Sequence, residues 1–526
     1  MEPFPVSNLA SSAHWRVHKK DCKSPLRSET WKPTWRVDER QPTFQEGEHL
    51  RGSALWRSAP PTDILKLPSN EQSAVKDLSI AFVEAGDLKN ILQTINSLPD
   101  DFSAALDIVI NDSKPIPACL MLFLLIILGS DVDDAVAVDM ALHHWISAFE
   151  PNEYHVHKMM IYSQFIASSG TSRRGRGDEH RPDIPAHSMG QKGSSIKFWG
   201  PSIMSYFRKF EEGMLLSMGL LTLKYPEARV AYEHSRLGGD DWDRVLAPLT
   251  PPHRVALQKY RETGIVLPFG APRAHFGSPN SHFFSNDRCL LPPLADPLQG
   301  WDMDEVIKVG TSHGARPEDI YGCLYFYLVD QLREFRHRIR DNYTVHFTVF
   351  TLEPSQLAAF LRIAKPDLRF DRVDVADLLD EGRAGLSDIL RVWGPLLAEG
   401  KDAALVGYCK EWAKNQAGGT AKGAGDKCVQ WALESLVKNI KGQSSTEDPL
   451  LALKRSESLF FSTCHNVDAG YDNSTAFNEY LKNQGLDSIL EETRLKLRQV
   501  PRIVPHVRPF HVQATLTLIA GSAECF

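Results

Sequence analysis

Two short apolar runs that flank one amphipathic segment constrain the fold of this chain more than any other feature. The runs are DLSIAFV, which includes Leu78, and LDIVIND at residues 106–112. Runs of this length are typical of strands that are buried on both faces of a parallel sheet. The segment between them carries apolar residues at helical spacing: Leu88, Ile91, Leu92 and Ile95. Strand, helix and strand within about 35 residues form a βαβ unit with a right-handed crossover. The pattern therefore predicts an α/β fold.

A second series of strand and helix patterns lies far downstream and predicts more of the same sheet. Three runs are interpreted as strands, at residues 343–353, 368–377 and 403–409. Two amphipathic segments, at residues 321–339 and 386–397, are interpreted as helices. We expect one mainly parallel sheet with helices on both faces, and any ligand should bind beyond the carboxyl ends of its strands.

Shifts in composition divide the chain into six segments. Residues 168–195 are rich in Gly, Arg and Ser and almost free of apolar side chains, which is typical of disorder. We expect, in chain order, a Trp-rich arm (1–60), the first half of the sheet domain (61–167), a disordered insertion (168–195), a helical and irregular insertion (196–310), the second half of the sheet domain (311–412), and C-terminal helices with final strands (413–526).

Charge, hydropathy and cysteine usage exclude several classes of protein. The net charge of −7 argues against a general nucleic-acid binder. The most apolar run, at residues 118–129, is shorter than the about 20 residues that a membrane span needs. The first residues lack the pattern of a secretion signal. Eight cysteines without CxxC pairs indicate reduced thiols, so we expect a cytoplasmic or nuclear protein that is not secreted and does not enter membranes.

The string HWRVHKKDCK at residues 14–23 resembles the last turn of a MYND-type zinc finger. The resemblance implies that His18 and Cys22 are zinc ligands, and their spacing places both on one face of a helix. A complete finger needs further ligands upstream, and residues 1–13 contain neither Cys nor His. Zinc is therefore expected only if the missing ligands are supplied. The alternatives are a surface helix without metal, an incomplete gene prediction, or ligands from a partner.

The body of the chain resembles fungal proteins in which a MYND finger precedes a domain of unknown function. The matching blocks include LSIAFVEAGDLKNILQTINSLP, LDIVIND, DPLQGWD and FDRVDVADLLDEGRAGLSDIL. The same domain is similar to the N-terminal half of dynein axonemal assembly factor 3, which is methyltransferase-like. The resemblance implies a Rossmann-like sheet with a helical insertion, and makes residues 1–60 a finger remnant followed by the Trp-rich arm.

A methyltransferase-like fold implies a site for S-adenosylmethionine at the carboxyl edge of the sheet. The first strand leads into Glu84, Gly86 and Asp87, the second ends in Asn111-Asp112, and the fourth ends in Asp377. A glycine turn would approach the cofactor, and an acid after the second strand would hold its ribose.

Two hypotheses remain open for the function. The turn has one glycine only, and an N-P-P-Y motif is absent, which favours an interaction or assembly scaffold with protein partners on a degenerate fold. The retained Asp112 favours a protein methyltransferase. The histidines at 143, 144, 155 and 157 are interpreted as core or solvated side chains, and residues 418–427 as a linker rather than a phosphate loop.

Overall fold

Seven strands of the described chain form one largely parallel sheet. The computed structural model describes residues 23–44, 55–57, 59–71, 76–168, 186–199, 225–236, 238–280, 282–284, 289–430, 467–498 and 502–503. Its strands are β1 (Leu78–Phe82), β2 (Ala105–Asn111), β3 (Phe149–Glu150), β4 (His187–Met189), β5 (Ser194–Trp199), β6 (Ser278–Pro279), β7 (Thr344–Phe350), β8 (Arg372–Asp374) and β9 (Ala404–Val406). The sheet order is β4-β5-β7-β2-β1-β8-β9, while β3 and β6 form a separate antiparallel pair.

The order of the central strands is that of a Rossmann-like fold. Numbered one to five in chain order, the strands β1, β2, β7, β8 and β9 lie side by side in the order three, two, one, four, five. All their pairings are parallel. The order reverses between β1 and β8, and such a switch point leaves a crevice at the carboxyl ends of the two strands. Strand β5 extends the sheet in parallel beyond β7, and β4 closes that edge in the antiparallel sense.

Helices cover both faces of the sheet. Their bounds are α1 (Thr34–Val37), α2 (Lys89–Asn96), α3 (Pro115–Gly129), α4 (Asp134–Ile146), α5 (Asn152–Ser168), α6 (Tyr225–His234), α7 (Gly239–Leu246), α8 (Pro251–Thr263), α9 (Met303–Ser312), α10 (Ile320–His337), α11 (Pro354–Ala364), α12 (Leu386–Trp393), α13 (Trp412–Asn415), α14 (Ala421–Ala424), α15 (Ser474–Asn483) and α16 (Leu486–Thr493).

Strand β1 contributes to two hydrophobic cores because its side chains alternate between the faces of the sheet. Ile80 and Phe82 belong to the larger core, with α2, α3, α4 and α10. Ala81 and Val83 belong to the second core, with α11, α12, α15 and α16. The predicted α/β class with a mainly parallel sheet is confirmed.

The structure differs from the sequence expectation in several segments. The apolar run at residues 118–129, which is too short for a membrane span, lies within helix α3. Residues 187–195 contain β4 and the start of β5, although the sequence favoured disorder there, because β7 supplies backbone partners for β5. Strand β8 ends at Asp374, three residues before the predicted end. Residues 1–22 and 504–526, including His18, Cys22 and the expected final strand, lie outside the described residues.

Candidate ligand crevice at the carboxyl edge of the sheet

The crevice begins where β1 and β8 end side by side. The backbone N–H of Val83 donates to the carbonyl of Asp374 at 2.8 Å, and the N–H of Ala85 donates to the carbonyl of Asn111 at 2.9 Å. Gly86 then turns the chain with a φ of +68°, a left-handed conformation that favours glycine. This turn leads into α2 and forms one wall of the crevice.

Two predicted site residues, Glu84 and Asp112, form an acidic pair in the turn. Asp112 accepts hydrogen bonds from the N–H groups of Gly86 and Lys114, both at 2.9 Å. Glu84 accepts one from the N–H of Ser113 at 3.1 Å. Both side chains are buried. Burial, together with the negative charge of Glu84, raises the pKa of Asp112 to about 7.

Asn111 joins the ends of three neighbouring strands. Its side-chain amide donates to the carbonyls of Val83 at 2.8 Å and Leu352 at 2.9 Å, and its Oδ1 accepts the N–H of Leu352 at 3.0 Å. The residue is fully buried. These bonds hold the exits of β1, β2 and β7 together, so Asn111 shapes the crevice from behind.

Arg383 connects the predicted Asp377 to Glu84 of the acidic pair. One guanidinium nitrogen of Arg383 lies 3.7 Å from Asp377 and 3.8 Å from Glu84. Asp377 is 28% exposed, and it follows β8 by three residues. Asp374, which the sequence analysis did not select, holds the strand end instead.

Asp374 is fixed by two hydrogen bonds at the base of the crevice. Its carboxylate accepts the N–H of Ala376 at 2.9 Å and the side-chain amide of Asn90 at 2.8 Å. Ala376 has a φ of +52°, which is unusual for a residue with a Cβ. The carboxylate is therefore held in place before any ligand arrives.

The chain segment at residues 55–65, here called the strap, lies over this crevice; Ser58 is outside the described residues. Side chains at and just before the start of α2 make hydrogen bonds to the backbone of the strap. The N–H of Arg57 donates to Asp87 at 2.8 Å, and the ammonium of Lys89 donates to the carbonyl of Arg57 at 2.8 Å. Further along, the N–H of Thr62 donates to Asn90 at 3.0 Å. The predicted Asp87 therefore binds the strap.

Buried side chains anchor both ends of the strap. Trp56 donates its indole N–H to the carbonyl of Trp145 at 3.0 Å and packs edge-to-face on Phe283. At the other end, Ile64 is fully buried and its N–H donates to Thr94 at 3.1 Å. The guanidinium of Arg372 donates to the carbonyls of Ile64 and Leu65, at 3.1 and 3.2 Å.

The loop around Gly300 covers the strap from the other side. A Cβ on Gly300 would lie 2.6 Å from the carbonyl oxygen of Ala59 and 2.9 Å from that of Arg57. The ammonium of Lys89 also donates to the carbonyl of Gln299 and lies 5.0 Å from the ring centre of Trp301. Burial lowers the pKa of Lys89 to about 8, although the nearby Asp87 opposes this shift.

The side chain of Arg57 extends from the strap into the crevice. Its Nη1 donates to the carbonyl of Ala85 at 3.3 Å and lies 3.4 Å from Asp374. The guanidinium carbon is 5.5 Å from the ring centre of Tyr408. A Cβ on Gly86 would lie 3.0 Å from Cγ of Arg57. The side chain thus occupies the space next to the glycine turn.

The clustered histidines do not form a metal site in the described part of the chain. His143 and His144 are buried, and His144 pairs with Glu150 at 2.9 Å. No group of three His, Cys, Asp or Glu side chains placed to hold a metal occurs among the described residues. The described residues also include no helix long and apolar enough to cross a membrane.

Arg57, Asp374 and Tyr408 are the crevice residues that sequence reasoning missed. Asp374 carried a signal, since DRVDVAD offers three acids and only the strand pairing decides which one ends β8. Arg57 carried none, because the strap has neither periodicity nor a motif.

Comparison with known proteins identifies one part of the chain. Residues 55–149 match the family described as a domain of unknown function, DUF4470. The match begins at the strap and extends through β1, β2 and α4. No curated protein and no solved structure matches the chain significantly. The chain is thus a Rossmann-like α/β protein that contains a domain similar to this family of unknown function.

Proposed function

We propose that this protein is an interaction or assembly scaffold on a degenerate methyltransferase-like fold. One observation carries the proposal: the crevice at the switch point, where such folds bind a ligand, holds the protein's own Arg57. A cofactor that approached the turn at Gly86 would meet the Arg57 side chain at contact distance.

The hydrogen bonding of Asp112 also supports the scaffold. An acid that binds ribose must present its carboxylate oxygens to the ligand. Here each oxygen accepts a backbone N–H, from Gly86 and from Lys114, and the residue is only 2% exposed. Asp112 therefore acts as a turn-stabilising residue in this proposal.

The second candidate is an S-adenosylmethionine-dependent protein methyltransferase. It is favoured by the left-handed Gly86 turn directly after β1 and by an acid, Asp112, directly after β2. In this candidate Glu84, Gly86, Asp87, Asn111, Asp112 and Asp377 would surround the cofactor. The Arg57 side chain would have to leave the crevice first.

Thermal unfolding with and without millimolar S-adenosylmethionine tests the choice. A ligand at 100 times its dissociation constant adds about 2.7 kcal/mol to native stability, which raises the melting temperature measurably. The scaffold predicts no shift for the wild-type chain. A shift that is lost in Asp112→Asn would overturn the scaffold and establish the cofactor site.

The remaining proposals concern the cellular setting. We propose that the scaffold binds protein partners in the cytosol or nucleus, where the five described free cysteines would stay reduced. We also propose kinship with the fungal MYND-type proteins and the dynein assembly factor. In that case zinc would bind at His18 and Cys22 only with ligands from elsewhere. Zinc titration of the full chain, with Cys22→Ala as control, tests this proposal.

A further inference from the structure

We propose that the crevice is a guanidinium-binding slot, and that an arginine side chain of a partner polypeptide can take the place of its internal occupant, Arg57. The inference deepens the proposed scaffold function and rests on it, because it names the group by which a partner would be recognised. The slot is lined by the Ala85 carbonyl, Gly86, Asp374 and Tyr408.

The backbone and the side chain of Arg57 are held by separate groups. The N–H of Arg57 donates to Asp87, and its carbonyl accepts from the ammonium of Lys89, both at 2.8 Å. The two contacts of Nη1 are longer, at 3.3 and 3.4 Å. Rotation of the guanidinium out of the slot would break the ion pair with Asp374 and the contacts with Ala85 and Tyr408, but no backbone hydrogen bond of the strap.

The anchors of the strap make this rotation a local event. Trp56 and Ile64 are buried on either side of Arg57, and their hydrogen bonds go to Trp145 and Thr94 and not to the guanidinium. The Arg57 side chain is itself 10% exposed, so its slot lies near the surface. Release of the whole strap would instead expose the buried Trp56.

The walls of the slot have the chemistry that binds a guanidinium. A carboxylate and a carbonyl accept its planar N–H donors, and an aromatic face accepts its positive charge. Asp374 supplies the carboxylate, Ala85 the carbonyl and Tyr408 the ring. Asp374 keeps its position without Arg57, because Asn90 and the N–H of Ala376 hold it.

The charge of the surrounding edge also favours a cationic occupant. Glu84 and Asp377 lie along the same edge of the sheet, with Arg383 between them. Lys89 is turned toward Asp87, 3.8 Å away, and toward backbone carbonyls. A second arginine would therefore enter a site whose nearest side-chain charge is the carboxylate of Asp374.

Chemical rescue of an emptied slot is the first test. The variant Arg57→Ala should melt at a lower temperature than wild type, and millimolar N-ethylguanidinium should restore part of the loss. Ethylammonium has the same charge without the planar donors and should restore less. The double variant Arg57→Ala/Asp374→Asn should bind N-ethylguanidinium about tenfold more weakly, since it lacks the charged acceptor. The matched control Arg383→Ala removes an arginine at the same edge and should show no rescue.

Exchange with a partner is the second test, made on the wild-type chain. A fluorescent Gly-Arg-Gly peptide with blocked ends should bind Arg57→Ala more tightly than wild type, because no internal side chain competes. It should bind wild type measurably, and a Gly-Lys-Gly peptide should not compete for that binding.

The possible failures can be told apart. Equal rescue in Arg383→Ala, or no binding to a folded Arg57→Ala, would overturn the slot. Binding to Arg57→Ala with none to wild type would overturn the exchange with a partner. S-adenosylmethionine binding to wild type would overturn the scaffold proposal instead, and neither guanidinium probe reports on that.

Discussion

Gly86 is the residue on which the crevice turn depends. Its φ of +68° is costly for any residue with a Cβ, by about 1–2 kcal/mol, and a new Cβ would also press on Arg57. We therefore expect Gly86→Ala to lower the free energy of unfolding by about 1–2 kcal/mol in urea titrations. The control is Gly382→Ala, where a Cβ meets nothing within 4 Å. Equal stability of the two variants would contradict the account.

Asp112 should make the stability of the protein depend on pH. Its pKa is raised to about 7 by burial and by Glu84, so the folded state binds a proton that the unfolded state has lost. The free energy of unfolding should therefore fall as the pH rises from about 4 to about 7, by an amount on the order of a few kcal/mol. Asp112→Asn removes the titrating group and should flatten this part of the profile.

Urea titrations at several pH values give the measurement. The control for the loss of a carboxyl group is Asp107→Asn, at an exposed site on β2, the strand that precedes Asp112. An unchanged profile in Asp112→Asn would mean that another group causes the dependence.

The residues of the crevice were only partly predictable from the sequence. Glu84, Gly86 and Asp112 could be found because they directly follow apolar runs, and the carboxyl ends of parallel strands meet at one edge. Asn111 and Asp87 were found too, but they bind backbone groups that the sequence does not reveal. Arg57 lies in the crevice through contacts with residues about 30 and 320 positions away, and no local pattern encodes these.

At the scale of elements, helix α2 is attached to the strap by a buried lysine. The ammonium of Lys89 donates to the carbonyls of Arg57 and Gln299, which bracket the helix start. We expect Lys89→Met to lower the free energy of unfolding by about 1–3 kcal/mol for each carbonyl left without a donor. Thermal or urea unfolding measures the loss. Lys308→Met, at an exposed lysine of α9, should change stability by less than about 0.5 kcal/mol.

Strands buried on both faces were the easiest elements to predict, and the strap was the hardest. Strands β1 and β2 match their apolar runs because both faces of the central sheet exclude water. The predicted end of β8 was wrong by three residues. Asp374 and Asp377 look alike in the sequence, and only the pairing of β8 with β1 and β9, which stops at Asp374, decides which of them ends the strand. Residues 55–60 of the strap were predicted only as the end of a Trp-rich arm, because the hydrogen bonds of the strap run from its backbone to distant side chains.

At the scale of the whole molecule, one sheet couples the two hydrophobic cores. Strand β1 sends alternate side chains into each core, so loss of either core should unfold the other. We expect Leu361→Ala, in the second core, to cost about 2–5 kcal/mol. Far-UV circular dichroism, which follows the helices and strands, and tryptophan fluorescence should shift together, because each core contains tryptophans, such as Trp145 in the larger core and Trp393 in the second.

The neighbouring Ile363 provides the control for this prediction. It lies on the same helix, α11, and is 82% exposed, so Ile363→Ala should leave the midpoint nearly unchanged. Two separate transitions for Leu361→Ala would show that the cores unfold independently.

The close contact of Gly300 with the strap has a consequence for the newly made chain on the ribosome. The strap leaves the exit tunnel long before its cover does, because residue 300 is synthesised roughly 240 residues after residue 57. At about 5–20 residues per second, Arg57 and Ala59 remain for roughly 12 to 50 seconds without the loop that covers them. During that interval the strap is accessible to chaperones, so translation speed between these two points sets how long an unfinished molecule needs protection.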